Sequence, residues 1–85
     1  MLREISAYKN KVVGIKQTRK AIKENKAKIV YLAEDVDRHL FKEIQNLCEE
    51  NYIEVHYAKT MKELGKACGI EIKAASAAII SEDRM

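Results

Sequence analysis

The spacing of hydrophobic and polar residues along the chain predicts alternating helices and strands. Residues 28–33 form a nearly continuous apolar run rich in β-formers, which is typical of a strand covered on both faces. Residues 53–58 alternate between apolar and polar side chains, as expected for a half-exposed strand. A longer segment repeats apolar residues three or four positions apart, which predicts an amphipathic helix. Its apolar stripe consists of Val36, Leu40, Phe41, Ile44, Leu47 and Cys48.

Capping residues indicate where the predicted helices begin and end. A capping box at residues 60–63 predicts a helix that begins at Thr60, and Gly69 is expected to end it. Asp35 or Asp37 is expected to cap the long helix. The predicted helices are residues 2–9, 16–24, 36–51 and 60–69, and the predicted strands are residues 11–15, 28–33, 53–58 and 76–80. Residues 81–85 are predicted to form a frayed polar tail.

Strands connected by helices imply an α/β fold, a three-layer α/β/α sandwich with a central sheet of about four short strands. The length of 85 residues predicts one domain, and the sequence does not specify the order of the strands. No apolar run approaches the roughly 18 residues that a membrane span needs. Cys48 and Cys68 fall on predicted inward helix faces, which favours reduced core thiols in a cytoplasmic protein.

Positive charge is concentrated in one part of the chain. Residues 9–28 contain eight Lys or Arg and one acidic residue, a net charge of +7, whereas the whole chain carries +3 and its remainder therefore −4. A lysine-rich helix face is usually just a solvated face. A basic segment in an otherwise acidic protein, however, is the electrostatic pattern of a nucleic-acid binder.

The basic helix is predicted to follow a strand and a glycine, Gly14, which suits a tight strand-to-helix turn. The free amides at the start of such a helix favour a phosphate group. Lys16, Gln17 and Lys20 share one helix face, whereas the opposite face should pack inward. That inward face consists of Thr18, Ala21 and Ile22.

Two other stretches have alternative interpretations. Glu34, Asp35 and Asp37 could bind Mg²⁺ in a small hydrolase, but acids at a helix N-terminus more often cap it, so neither a metal nor a cofactor is predicted. The histidines and cysteines also lack the spacing of a zinc site. In the loop before the last strand, Ile70 and Ile72 could pack into the core or form an exposed apolar lip over an unstacked base.

Three motifs in register resemble the L7Ae/L30e family of ribosomal kink-turn-binding proteins, especially its small stand-alone bacterial members of the YbxF type. The motifs lie at residues 14–21, 33–37 and 64–70, and the resemblance extends from about residue 7 to residue 80. It implies the same sandwich, no catalytic activity, and recognition of the kink-turn, a sharply bent RNA helix with a three-nucleotide bulge and sheared G·A pairs.

The resemblance also implies which residues contact RNA. The family pattern places a glycine, the next three residues and a lysine against the G·A pairs, an acid near the flipped-out nucleotide, and a loop over it. In this chain these residues are Gly14, Ile15, Lys16, Gln17, Lys20, Asp37, Ile70, Glu71, Ile72 and Lys73. Archaeal and eukaryotic members usually carry Asn-Glu at the positions of Lys16 and Gln17, and a lysine at that of Met61.

The leading hypothesis is therefore a non-catalytic, monomeric RNA-binding protein of the cytoplasm, whose target could be ribosomal RNA, a riboswitch or another transcript. The alternative is a protein-interaction or stress-adapter module that uses the acidic face of the same scaffold. That face would consist of Glu43, Glu49, Glu50 and Glu54.

Overall fold

The computed structural model describes residues 10–80, so the helix predicted at residues 2–9 and the tail at 81–85 lie outside the described residues. Helices and strands alternate within this range. The strands are β1 (Lys11–Val13), β2 (Ala27–Ala33), β3 (Glu54–Ala58) and β4 (Ser76–Ile80), and the helices are α1 (Ile15–Lys23), α2 (Arg38–Glu50) and α3 (Met61–Ala67). Every strand and helix predicted between residues 10 and 80 is present.

The four strands form one mixed sheet in the order β1-β4-β2-β3. Strands β2 and β3 are parallel, and β4 is antiparallel to both of its neighbours, β1 and β2. Within β4, Ala78 pairs with Val12 of β1 on one side and with Val30 of β2 on the other. As a consequence β1, β2 and β3 all run in the same direction.

Each face of the sheet has its own hydrophobic core. Alternate residues of β2 point to opposite faces, with Val30 and Leu32 on the side of α1 and α2, and Tyr31 and Ala33 on the side of α3. All four side chains are fully buried. The prediction of a β2 strand covered on both faces, and of a three-layer α/β/α sandwich, is confirmed.

Several predicted boundaries lie one or two residues from those of the structure. Strand β1 ends at Val13 rather than at residue 15, because Gly14 adopts a φ of 117° and turns the chain into α1. Helix α2 begins at Arg38, two residues after the start of the predicted apolar stripe, and Asp37, one of the two predicted capping residues, caps it. The start of α3 is as predicted, with the Glu63 N–H donating to Thr60 Oγ1 at 3.0 Å.

The two cysteines are buried and free, as predicted. Burial raises the pKa of the Cys48 thiol to about 11 and also raises that of Cys68, where the positive charge of Lys11 opposes the shift. Both thiols are therefore protonated near neutral pH. None of the helices between residues 10 and 80 is both long and apolar enough to cross a bilayer.

Candidate nucleic-acid interface

Four connections of the chain meet at one edge of the sheet, because β1, β2 and β3 end there and β4 begins there. These connections are residue 14, residues 34–37, residues 59–60 and residues 68–75. Backbone hydrogen bonds join them: Gly14 donates to the Ser76 carbonyl at 2.7 Å, and Glu34 donates to the Ala58 carbonyl at 2.8 Å. We call this region the binding edge.

The turn at Gly14 sets the start of α1 at the binding edge. Its φ of 117° is a conformation that L side chains rarely adopt, and a Cβ there would also lie 2.9 Å from Gln17 Oε1. The Gly14 carbonyl accepts the first helical hydrogen bond, from the Thr18 N–H at 2.9 Å. The first turn of α1 carries no acidic residue, so nothing there opposes the approach of an anion.

The two faces of α1 separate as the sequence predicted. Lys16, Gln17 and Lys20 are exposed, with Lys20 one turn farther from the binding edge than Lys16. The opposite side of the helix is buried and consists of Thr18, Ala21 and Ile22. Ile15, another predicted site residue, is half-buried and packs against the core beneath α1 and α2, so its side chain belongs to the fold.

Arg19, one of the cations of the basic segment, is half-buried and paired with an acidic side chain of α2. Its guanidinium donates from Nε to Glu43 Oε2 at 2.6 Å and from the second nitrogen, Nη2, to Glu43 Oε1 at 3.0 Å. This hydrogen bonding lowers the pKa of the Glu43 carboxyl and raises the pKa of Arg19. The pair therefore removes Arg19 from the outward charge of α1 and Glu43 from the predicted acidic face.

The three acids after β2 have separate positions and structural roles. Asp37 Oδ1 accepts the His39 N–H at 2.8 Å and caps α2, whereas Asp35 Oδ1 accepts the Met61 N–H at 2.9 Å and caps α3 from across the binding edge. Glu34 is exposed. Between residues 10 and 80, no group of three or more His, Cys, Asp or Glu residues is placed to hold a metal ion.

The loop at residues 70–73 closes the binding edge on the side of α3. It approaches α3 so closely that a Cβ at Gly65 would overlap the carbonyl oxygen of Ile72. The loop is further held by the Ala74 N–H, which donates to the Met61 carbonyl at 3.0 Å. The two isoleucines differ: Ile70 packs against the core beneath α3, whereas the Ile72 residue is 73% exposed.

The binding edge thus brings together the start of α1, Asp37 and the loop at residues 70–73, which are the three groups of site residues predicted from sequence. The family model of the ribosomal protein L7Ae/L30e/S12e/Gadd45 family matches residues 1–85. The chain belongs to this family. The resemblance found in the three sequence motifs is therefore confirmed.

Relatives of this family member match over most of their length. It is 47% identical over 74 residues to a protein of Caldanaerobacter subterraneus subsp. tengcongensis named as an RNA-binding protein, covering 87% of this chain and 90% of that one. It is 38% identical over 77 residues to another protein of that name from Bacillus pumilus, covering 91% of this chain and 94% of that one.

Solved structures share the fold of this family member. The Giardia lamblia 15.5kD RNA binding protein superposes with a TM-score of 0.82 at 20% identity, over 96% of this chain and 69% of that one. A protein of unknown function from Bacillus halodurans superposes with a TM-score of 0.81 at 21% identity, over 94% of this chain and 80% of that one. These identities are low, so the two structures establish the fold alone.

Proposed function

We propose that this chain is a non-catalytic RNA-binding protein that recognises kink-turn RNA at the binding edge. The observation that carries the proposal is that one edge of the sheet unites an exposed cationic helix start with an exposed apolar loop residue, Ile72. Two relatives are named as RNA-binding proteins, which supports RNA binding in general. The proposed contact residues are Gly14, Ile15, Lys16, Gln17, Lys20, Asp37, Ile70, Glu71, Ile72 and Lys73.

The start of α1 suits the widened groove of a bent RNA. The deep major groove of an ordinary A-form duplex keeps its base edges out of reach of side chains, but a kink opens that groove. Exposed Lys16 and Lys20 would neutralise phosphates there, and the Gln17 amide would donate to and accept from base edges. The half-buried Ile15 and the turn at Gly14 would contribute their backbone, because their positions are fixed by the fold.

The loop at residues 70–73 supplies the contact that depends on the bent shape of the RNA. Ile72 is exposed at the binding edge and would cover a base that the kink extrudes from the stack. Ile70 would act indirectly, since its packing against the core holds the loop in place. Asp37 uses Oδ1 to cap α2. We assign its contact with the extruded nucleotide to the other carboxylate oxygen.

The absence of catalysis in the proposal follows from what the acids of the binding edge already do. Asp35 and Asp37 hold helix starts in place through hydrogen bonds to Met61 and His39. These caps account for the positions of both acids at the binding edge without a catalytic role. The alternative function uses an acidic face that includes Glu43. The ion pair with Arg19 reduces the negative charge that Glu43 can offer to a partner protein.

A gel-shift comparison tests the proposal directly. The protein is titrated against a kink-turn RNA and against a straight duplex of matched length and sequence composition, in the presence of Mg²⁺ to fold the kink. We expect a clear preference for the kinked RNA and intact RNA after prolonged incubation. Equal affinity for the two RNAs, or no binding to either, would contradict the proposal, and cleavage products would contradict its non-catalytic part.

A further inference from the structure

A concave surface extends from the loop at residues 70–73, whose residues are assigned above, to two lysines of α3 that are not. It is an open cleft of about 750 Å³ between the loop at residues 70–73 and the solvent-facing side of α3. Lys62 and Lys66 lie one helical turn apart on α3 and line one wall, and Lys73 lines the wall opposite with Glu71. Exposed Ile72 and half-buried Ile70 form its apolar part. We call it the α3 cleft.

The shape of the α3 cleft depends on Gly65. The loop backbone passes against α3 at this glycine, where a Cβ would overlap the Ile72 carbonyl oxygen. The close approach fixes the loop as one wall, and Lys62 and Lys66 on the adjacent turns of α3 form the other. The loop backbone that forms one wall of the cleft is therefore held in place by its contact with α3.

The chemistry of the cleft selects its ligand. Three lysines against one glutamate give it positive charge, and the isoleucines give it an apolar surface. A single strand of RNA with unpaired bases carries groups that complement both parts of the cleft. Its anionic phosphates can pair with the lysine ammonium groups, and its flat base faces can pack on the isoleucine side chains. A duplex offers phosphates but conceals its base faces in the stack. An acidic peptide offers charge but little apolar surface.

We propose that the α3 cleft binds a short single-stranded RNA segment that continues from the kink, so that the RNA crosses the binding edge from α1 to α3. This inference rests on the proposed function and extends it to residues on the other face of the sheet. Lys62 and Lys66 contact phosphates of the unpaired strand, and Ile72 is shared between the two surfaces. The cleft accounts for cations on α3 that the kink contact does not use.

The test uses full-length protein, with Lys62→Gln and Lys66→Gln combined in one variant. Its matched control combines Lys28→Gln with Lys42→Gln, which removes the same charge from exposed positions on β2 and α2, away from the cleft. Thermal melting establishes that both variants fold. Binding is measured over a salt series with a labelled single-stranded hexauridylate and, separately, with the kink-turn RNA and its straight duplex.

We expect wild type and the control variant to bind hexauridylate alike and the cleft variant to bind it about tenfold more weakly. The slope of log K against log salt should fall by about 1.4 in the cleft variant, since two phosphate contacts to a single strand are lost. A cleft variant that matches the control, or wild type that does not bind hexauridylate, would overturn the inference. Displacement of hexauridylate by hexaglutamate at equal concentration would do so too, because it would identify an acidic protein segment as the occupant.

The proposed function is judged by a different readout of the same experiment. The preference of wild type for the kinked RNA over the straight duplex tests kink recognition, whatever the two variants do with hexauridylate. If that preference holds while the cleft variant behaves like its control, the kink contact stands and the α3 cleft is not an RNA site.

Discussion

Arg19 and Glu43 form a two-point ion pair that joins α1, the helix of the proposed RNA contact, to α2, the helix that Asp37 caps. The distance from Nε to Oε2 is 2.6 Å, and both side chains are about one-third exposed, at 29% and 35%. Two parallel hydrogen bonds restrict rotation about the contact more than one would. The pair thus holds two parts of the binding edge in a fixed relation, although it adds no charge to the outward face.

The first prediction concerns pH. The pKa of Glu43 in the folded protein lies below the ordinary value of 4.5, chiefly because Arg19 donates hydrogen bonds to it. The stabilisation is therefore complete above pH 4.5 and is lost as pH falls through the lowered folded value. In Glu43→Gln, the free energy of unfolding should decline less between neutral and acid pH than in wild type, as measured by urea unfolding.

Glu50→Gln is the control for this measurement, since Glu50 is an exposed acid on the same helix. Its acid dependence should follow that of wild type. An identical pH dependence in Glu43→Gln and Glu50→Gln would show that the ion pair does not stabilise the fold in solution.

The second prediction is that Lys20→Ala weakens binding of kink-turn RNA by about 1–3 kcal/mol, as the loss of a specific contact does. Lys20 is exposed on the face opposite the buried residues of α1, so the melting temperature should not change. Lys23→Ala removes the same charge from the last turn of the helix and should weaken binding much less. Equal losses for the two variants would mean that only overall charge matters.

The third prediction concerns the close contact of the loop with α3. Gly65→Ala should destabilise the protein by about 1–3 kcal/mol, because the added methyl group would overlap the Ile72 carbonyl oxygen. It should also weaken RNA binding, since the loop must move. Gly69→Ala makes a useful comparison: its φ of 82° is strained for alanine, but its Cβ would meet no atom within 4 Å. That variant should lose stability and keep its RNA affinity.

The fourth prediction tests the cap that spans the binding edge. Asp35→Ala removes the acceptor of the Met61 N–H and should cost about 1 kcal/mol of folding stability, as the loss of an N-cap does. If Asp35 instead belonged to a catalytic metal site, Mg²⁺ would bind the free protein in a saturable way and the variant would abolish that binding. Calorimetric titration with Mg²⁺ separates the two roles.

Much of the architecture could be predicted because local signals agree with the tertiary structure. The capping box at Thr60, the apolar run of β2 and the periodic stripe of α2 each specify an element from a few neighbouring residues. Strand order could not be predicted, because it depends on long-range pairing. The position of β4 between β1 and β2 is one such pairing, and the buried Ser76 hydroxyl, which donates to the Tyr31 carbonyl at 2.7 Å, supports it.

The candidate site was predictable where a motif was continuous in sequence, and not where two distant segments meet. Lys16, Gln17 and Lys20 could be placed on one exposed face from helical spacing alone. Asp35 caps α3 because the segments that follow β2 and β3 lie side by side at the same edge of the sheet. The spacing of residues in the sequence does not indicate this contact. Gly65 did leave a signal, since a glycine inside a helix is unfavourable unless another backbone approaches it.

The last prediction separates the two isoleucines of the loop, which the sequence could not assign to the core or the surface. Ile72→Ser changes a residue that is 73% exposed, so the melting temperature should stay close to that of wild type. It removes no cation, and therefore weak, salt-dependent binding to a straight duplex should persist. The preference for kinked RNA should fall, because the apolar surface offered to an extruded base is lost.

Ile70→Ser is its counterpart within the same loop. Ile70 packs against the core beneath α3, so this change should lower stability by about 2 kcal/mol and affect RNA binding through the displaced loop. Binding measured well below the melting temperature of each variant distinguishes the two mechanisms. If Ile72→Ser melts like wild type and retains the full kink preference, the loop does not read the kink. Gln17, whose exposed amide can bond base edges, would then be expected to carry the selectivity, and Gln17→Ala should abolish it.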